Sequence, residues 1–289
     1  MNRQRQLIVT ADDFGVAREV NEAVERAHRE GILTAASLMV SAPEAEDAVR
    51  RAKAMPGLGV GLHLVLVEGR PTLSPSAVPD LVDAKGLFRT DMVRAGFAFL
   101  RPKARRQLAA EIRAQFEAFA ATGLELDHVN THKHFHLHPT IAGLIVEIGR
   151  DFGMKAMRLP REPATLLRRI EPGTKSSFIV ELWAGRLGRR LAAAGILAPD
   201  RMFGLAWSGA MTTARLEALI ARLPEGLSEI YLHPATGPAF AGAAPGYRYE
   251  PELAALTSKQ VIDLTNENQI RLGSFTDFLP LRENVKVAP

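Results

Sequence analysis

The chain has 289 residues, 47% of them hydrophobic and 24% charged, with a formal net charge of +4. This is ordinary globular composition at a length that buries a sizeable core, and it excludes disorder as the global state. The absence of cysteine excludes disulfides and thiolate metal sites, and no apolar run reaches the ~18–20 residues that span a bilayer.

The N-terminal "MNRQRQLIVTADD" lacks the apolar length and cleavage pattern of a secretory signal, so the expected location is the cytoplasm. Within it, "QLIVTAD" is short, apolar and β-branched and reads as a buried strand. It ends on two adjacent carboxylates, Asp12 and Asp13. From there Val16, Val20, Val24 and Ala27 recur at helical spacing, with Gly31 as the stop. "ILTAASLMV" reads as a second strand. "PEAEDAVRRAKAM" reads as a helix, with Pro43 in its first turn and acidic residues at the positive end of its dipole. "LGVGLHLVLV" is a third strand, almost continuously apolar as parallel strands covered on both faces are. Its glycines lie inside the strand and so make a poor phosphate loop. Residues 69–90, with Pro71, Pro75 and Pro79, break the rhythm and are expected to form a lid or binding loop.

The helix "PKARRQLAAEIRAQFEAFAATG" follows, with Leu108, Ile112, Phe116 and Phe119 as its apolar stripe. "LELDHVNTHKHFHLHP" is a strand running into a histidine cluster, "PTIAGLIVEIGRDFG" a helix and "MKAMRLP" a strand. Residues 163–198 form a basic, largely helical stretch. "RMFGLAWSG" and "SEIYLHPA" read as strands around the helix "TTARLEALIARLPEG", which Thr212 or Thr213 caps. A Gly/Pro/Ala-rich loop over 237–246, a helix near "TSKQVIDLTNEN" and a short strand "IRLGSF" complete the series. These alternations predict one α/β domain over 1–289, an irregular TIM-like (β/α) barrel with about seven parallel strands. An open doubly wound sheet is the alternative.

Polar groups collect at the strand ends: Asp12 and Asp13, then His63, then His128, Asn130 and His132, then His233. Active sites of α/β barrels are built at that rim, and open sheets place ligands there too. Each feature alone has a plainer reading. A strand histidine is often a hydrogen-bonded core residue, and aspartates before a helix often cap it. The concentration of five of the eight histidines between 128 and 138 resists that reading. Without thiolates, imidazole and carboxylate are the usual ligands of a catalytic divalent cation. Such an ion polarises a carbonyl and acidifies water, and a neighbouring carboxylate takes the proton. Adjacent strand residues point to opposite faces, so Asp12 and Asp13 converge only if the chain turns there, as Gly15 permits. Positions 128, 130, 132 and 134 share a face while their strand lasts, and Lys133 points elsewhere.

In order and spacing, "TADDFG", "GLHL", "LDHVNTHKHFHLHP", "YLHP" and "RLGSF" resemble the YdjC-like carbohydrate deacetylases. These are metal-dependent enzymes on an irregular (β/α) barrel that remove N-acetyl groups from amino sugars. The resemblance runs from about Leu7 to about Phe275. The chain also resembles the branch associated with hopanoid biosynthesis, whose substrate is an N-acetylglucosaminyl group on a hopanoid lipid. Carried over by position, the resemblance implies one divalent cation, Mg2+ or Zn2+, held by Asp13, His63 and His132. It implies Asp12 as general base and His233 as the general acid that protonates the leaving amine. Asn130, His134 and Arg158 are expected behind the ligands or against the substrate. Three positions depart from the family pattern: Asn130 replaces an aspartate, Thr131 a serine and Lys133 a histidine. They leave the implied ligands intact and bear on ligand support and substrate preference.

The implied partner is an acetylated amino sugar, soluble or lipid-linked, with no nucleic-acid partner, since no such motif accompanies the basic charge. The basic stretch 163–198 reads either as a solvated helix face or as a contact with an anionic membrane, which would place the protein peripherally at the inner membrane surface. The oligomeric state stays open, a homodimer included. Other readings are weaker. Three good ligands are few for a two-metal phosphoesterase. A glycosidase separates its carboxylates by ~5–9.5 Å across the bond, which adjacent aspartates fit poorly. A structural metal would be closed by four protein ligands.

Overall fold

The computed structural model describes residues 4–175 and 177–280. The chain begins with β1 (Arg5–Phe14), α1 (Arg18–Glu30), β2 (Ala35–Leu38), α2 (Ala45–Lys53) and β3 (Gly59–Leu64). After a long excursion come α3 (Met92–Ala98), α4 (Pro102–Ala121) and β4 (Val129–Thr131), which runs into a 3-10 turn over His132–Leu137. Then follow α5 (Pro139–Asp151), α6 (Ala164–Ile170), α7 (Phe178–Ala193), β5 (Arg201–Phe203), α8 (Thr213–Ala221) and β6 (Gly226–Leu232). The last elements are α9 (Tyr249–Leu256), α10 (Lys259–Glu267) and β7 (Arg271–Leu272).

The strands form one seven-stranded parallel sheet in the order β4-β3-β2-β1-β6-β5, with β7 joined to β1. β1 is central, and Leu7, Ile8, Val9 and Ala11 are fully buried, as expected of a parallel strand covered on both faces. The sheet curls, and the predicted strand "MKAMRLP" lies between its edges, making single bridges rather than a full strand. Val129 pairs with Met157, Ala156 pairs with Leu197, and Met202 N donates to Arg161 O at 2.9 Å. The result is the irregular α/β barrel expected from the alternating pattern. Among the described residues no helix is long and apolar enough to cross a membrane.

Alternation along β1 sorts its side chains. Leu7, Val9 and Ala11 belong to the large core under the helices, whereas Ile8 packs inside the curl with Ala35, Ala156, Leu227 and Phe275. Register carries the inward face across the sheet: Ile8 pairs with Glu229, Thr10 with Tyr231, and Ser37 with Gly61. Gly59 and Gly61 of the third strand are there for space. A Cβ on Gly61 would lie 2.5 Å from the His128 ring, and one on Gly59 would lie 2.4 Å from the Ser274 Cβ. His128 fills that interior, bonded to Asp127 at 2.8 Å and Ser37 at 3.0 Å and stacked on Phe275. It is a satisfied core histidine.

The excursion after β3 is anchored rather than free. The buried Glu111 of α4 accepts from Thr72 N and Leu73 N at 2.8 and 3.0 Å, and Val78, Leu81 and Phe88 are buried.

Candidate active site

Asp12 and Asp13 separate because the backbone turns at Asp13 itself, where φ is +62°. That left-handed conformation costs an ordinary residue about 1–2 kcal/mol, and Asp is among the few that visit it. The β1–β2 register shifts between Ala11 and Phe14, and a bulge of this kind re-aims a side chain. The turn is pinned from α1: Gly15 N donates to the buried Asn21 Oδ1 at 2.8 Å.

Asp13 Oδ1 lies 3.2 Å from His132 Nδ1 and 3.4 Å from His63 Nε2. One ligand atom from each of the three residues falls within 4.8 Å of the others, the grouping that could hold a metal ion among the described residues. Asp13 Oδ1 and His63 Nε2 are buried without a hydrogen-bond partner. Orphaned polar atoms of this kind are costly unless something binds them. Two imidazole nitrogens and a carboxylate oxygen suit a divalent cation and leave positions open for water and substrate. The residues therefore fit such an ion. Burial alone would raise the Asp13 carboxyl, but the charge of the neighbouring His132 holds it well below the ordinary carboxylate value.

The residues behind this triad explain its orientation. Asn130 Nδ2 donates to Asp12 Oδ1 at 3.1 Å and to Ser37 Oγ at 2.8 Å. Its amide oxygen is thereby turned to His63 Nδ1, 2.7 Å away, and accepts that proton. His63 Nε2 is left as a lone pair facing Asp13, the usual arrangement for an imidazole that binds a cation.

Asp12 faces the other way. Arg158 donates to both of its oxygens, at 2.5 and 2.9 Å, and also to Glu229 Oε1 at 2.8 Å. All three side chains are buried, and Thr10 Oγ1 also donates to Glu229 at 3.0 Å. Burial would raise the Asp12 carboxyl, but the Arg158 guanidinium holds it far below its ordinary value and keeps it ionised. The guanidinium lies 4.6 Å from the centre of the Tyr231 ring. Glu229 and Tyr231 were not singled out from the sequence. A carboxylate in the middle of the apolar strand "SEIYLH" was the available signal, since a buried charge demands a partner.

The remaining histidines divide. β4 ends at Thr131, and Lys133 and His134 both take positive φ, so the strand alternation stops before it reaches His134. His134 Nε2 lies 3.0 Å from Tyr231 Oη, and Lys133 pairs with Glu68 at the mouth. Burial holds His134 well below its ordinary pKa, so it is neutral. His136 bonds Thr131 at 2.8 Å and is fully buried. His233 sits between Tyr231 and Tyr247, with ring centres 5.5 and 4.9 Å away, and its Nδ1 has no partner. Burial lowers its pKa. Its backbone N–H donates to Glu252, whose buried carboxyl is pushed up to about 7.

Asp12, Asp13, His63, His132, His134 and His233 all line one cavity of about 940 Å³. Residues 241–245 of the Gly/Pro/Ala-rich loop and Glu68, Gly69, Arg70 and Leu87 from around the long excursion form its walls. Asn130 and Arg158 stand behind the cavity, bonded to groups that line it.

The chain that builds this barrel and its rim matches a known protein family over most of its length. The model of that family, described as YdjC-like protein, matches residues 6–267, and the chain belongs to it. A carbohydrate deacetylase of Geobacillus stearothermophilus is 31% identical over 280 residues, covering 96% of this chain and 99% of the relative. A carbohydrate deacetylase of Brevibacillus brevis is 42% identical over 147 residues, covering 51% of this chain and 56% of the relative. Among solved structures, an Enterococcus faecalis protein provisionally assigned to cellobiose-phosphate cleavage superposes with a TM-score of 0.76. It covers 96% of this chain and 100% of its own at 23% identity, and so speaks for the fold.

Proposed function

We propose that the protein is a metal-dependent carbohydrate N-deacetylase that hydrolyses the acetamide of an acetylated amino sugar. The observation that carries this reading is the Asp13, His63 and His132 triad, with Asp13 Oδ1 and His63 Nε2 buried without partners, beside the separately tethered Asp12. Asp13, His63 and His132 would hold one divalent cation, Mg2+ or Zn2+. When bound, such an ion supplies Lewis-acid polarisation of the amide carbonyl and lowers the pKa of water.

The chain's own groups handle the protons. Asp12 is ionised and lines the cavity, so it takes the proton of the attacking water as general base. Arg158 trades some basicity of Asp12 for a fixed position and a charged state. His233 protonates the departing amine. Burial lowers its pKa, so the ring rests neutral and passes on to the amine the proton that Asp12 has taken from water. Acetate and a free amine result.

The finer reading of the substrate is the N-acetylglucosaminyl group of a hopanoid lipid. The resemblance to that branch supports it, as do the apolar Val16, Met39, Leu87 and Leu205 in the cavity wall. The test is release of acetate from an N-acetylglucosaminyl lipid and from chitooligosaccharides, with and without added metal. Release from the lipid alone upholds the finer reading, and release from the oligosaccharides alone replaces it. Release from neither, with metal bound, overturns the deacetylase reading.

A further inference from the structure

We propose that α3 and α7 together form a surface that docks on an anionic lipid bilayer. The large hydrophobic side chains exposed on the described residues are Val93, Phe97 and Leu100 on and just after α3, and Phe178, Ile179 and Leu182 on α7. Phe97 is 69% exposed and Phe178 77%. A soluble surface normally scatters such residues, and their concentration on two helices marks an interaction site. Val93, Phe97 and Leu100 repeat at i, i+4 and i+7, and Phe178 and Leu182 at i and i+4, so each helix presents one apolar face.

The two helices flank a common residue. His138 stacks on Trp183 of α7 with ring centres 6.4 Å apart, and it touches α3, where a Cβ on Gly96 would meet it at 3.3 Å. The same 3-10 turn that ends near His138 begins at His132, so the apolar surface adjoins the rim that carries the cavity.

Charge selects the occupant. A groove of about 520 Å³ beside α3 is lined by Arg89, Arg94, Arg101 and Lys103, with Asp80 as its one acidic wall, 3.3 Å from Lys103. On α7, Arg186, Arg189 and Arg190 follow the apolar turn, against a single acidic residue, Glu181. Exposed apolar side chains ringed by arginine match the boundary between anionic headgroups and acyl chains. A second copy of this chain would bring arginine against arginine. The proposal deepens the lipid-linked substrate reading, yet it is tested apart from it, because vesicle binding requires no turnover.

The experiment is flotation of the full chain with vesicles of equal parts phosphatidylcholine and phosphatidylglycerol, or of phosphatidylcholine alone. The wild type should float with the anionic vesicles at low salt and bind them more weakly at high salt. The Phe97→Ser/Phe178→Ser variant should lose at least about tenfold in partitioning, and Arg94→Gln/Arg101→Gln about fivefold for each arginine. These side chains are exposed, so the variants should melt with the wild type. Absence of binding to anionic vesicles, or equal binding by the Phe97→Ser/Phe178→Ser variant, overturns the proposal. So does a wild-type dimer that this variant converts to monomer, because the surface then belongs to a second copy.

Discussion

Arg158→Met tests the buried charge cluster that holds Asp12. The wild-type guanidinium is 0% exposed and faces two buried carboxylates, Asp12 at 2.5 Å and Glu229 at 2.7 Å. Methionine keeps much of the stem and removes the only cation among the three groups. Removing one partner of a buried ion pair costs about 3–5 kcal/mol. With a urea slope of about 3 kcal/mol/M, the midpoint should fall by about 1–2 M at pH 7. The pH dependence gives a second signature. In the wild type the Asp12 pKa is depressed, so its contribution is full above the unfolded carboxylate value and is lost only as pH falls through the lower folded value. In the variant burial, which raises the folded pKa, loses its main counterweight and faces only the weaker pull of His63 and His233, so stability should increase as pH falls from 7 toward 5. The gap between the two proteins should therefore narrow on acidification. Adding Glu229→Gln to the variant removes one stranded charge and should recover part of the loss at pH 7. A loss below about 1 kcal/mol, or a gap that is the same at pH 7 and pH 5, would refute the reasoning.

Asp13→Ala and His63→Ala should each abolish stoichiometric metal by mass spectrometry, whereas Asp12→Asn should keep the metal and lose acetate release; metal retained in both ligand variants would remove the assignment. Asn130→Ala should weaken metal binding about 10–100-fold in a calorimetric titration, because His63 loses the acceptor that sets its tautomer; an unchanged affinity would show that Asn130 only packs. For Glu252, a folded pKa of about 7 against 4.5 means that the native state keeps a proton the unfolded chain loses across that window. Stability should therefore fall as pH rises through it, by about 3 kcal/mol at most. Glu252→Gln should flatten that component in urea melts at pH 5 and pH 8, and identical pH slopes for variant and wild type would count against the raised carboxyl.

The elements read most easily from the sequence are those whose pattern has one physical cause. β1, β3 and β6 are apolar runs because both faces are covered, and α1 and α4 are long enough for their stripes to repeat. The short elements were harder. β4 and β5 pair over three residues each, and α3, a helix of seven, hides behind a proline-rich excursion. α9 opens with Pro251 in its first turn, where a missing N–H does no harm but local pattern reading sees a break. In the site, the rim position of Asp12, Asp13, His63, His132 and His233 was legible because strand ends can be located from pattern. The inward turn of His128 was not, since the glycine that makes room for it lies on another strand. Nor was the partner of Arg158, a residue expected behind the ligands or against the substrate, because Asp12 is 146 residues away.

The two aspartates illustrate why adjacency alone could not divide their work. Had β1 continued regularly, Asp12 and Asp13 would have pointed to opposite faces, one of them into the helix layer. The left-handed turn at Asp13 brings both to the cavity but aims them at different partners. Asp12 meets a permanently charged guanidinium, and Asp13 meets two imidazoles that leave an oxygen and a nitrogen unpaired. Arg158 gives Asp12 a fixed cationic partner, which Glu229 shares, and Asn130 ties the halves together by bonding Asp12 with one end and His63 with the other. The proposed separation of ligand from proton acceptor thus rests on which residue the fold supplies with a permanent cation.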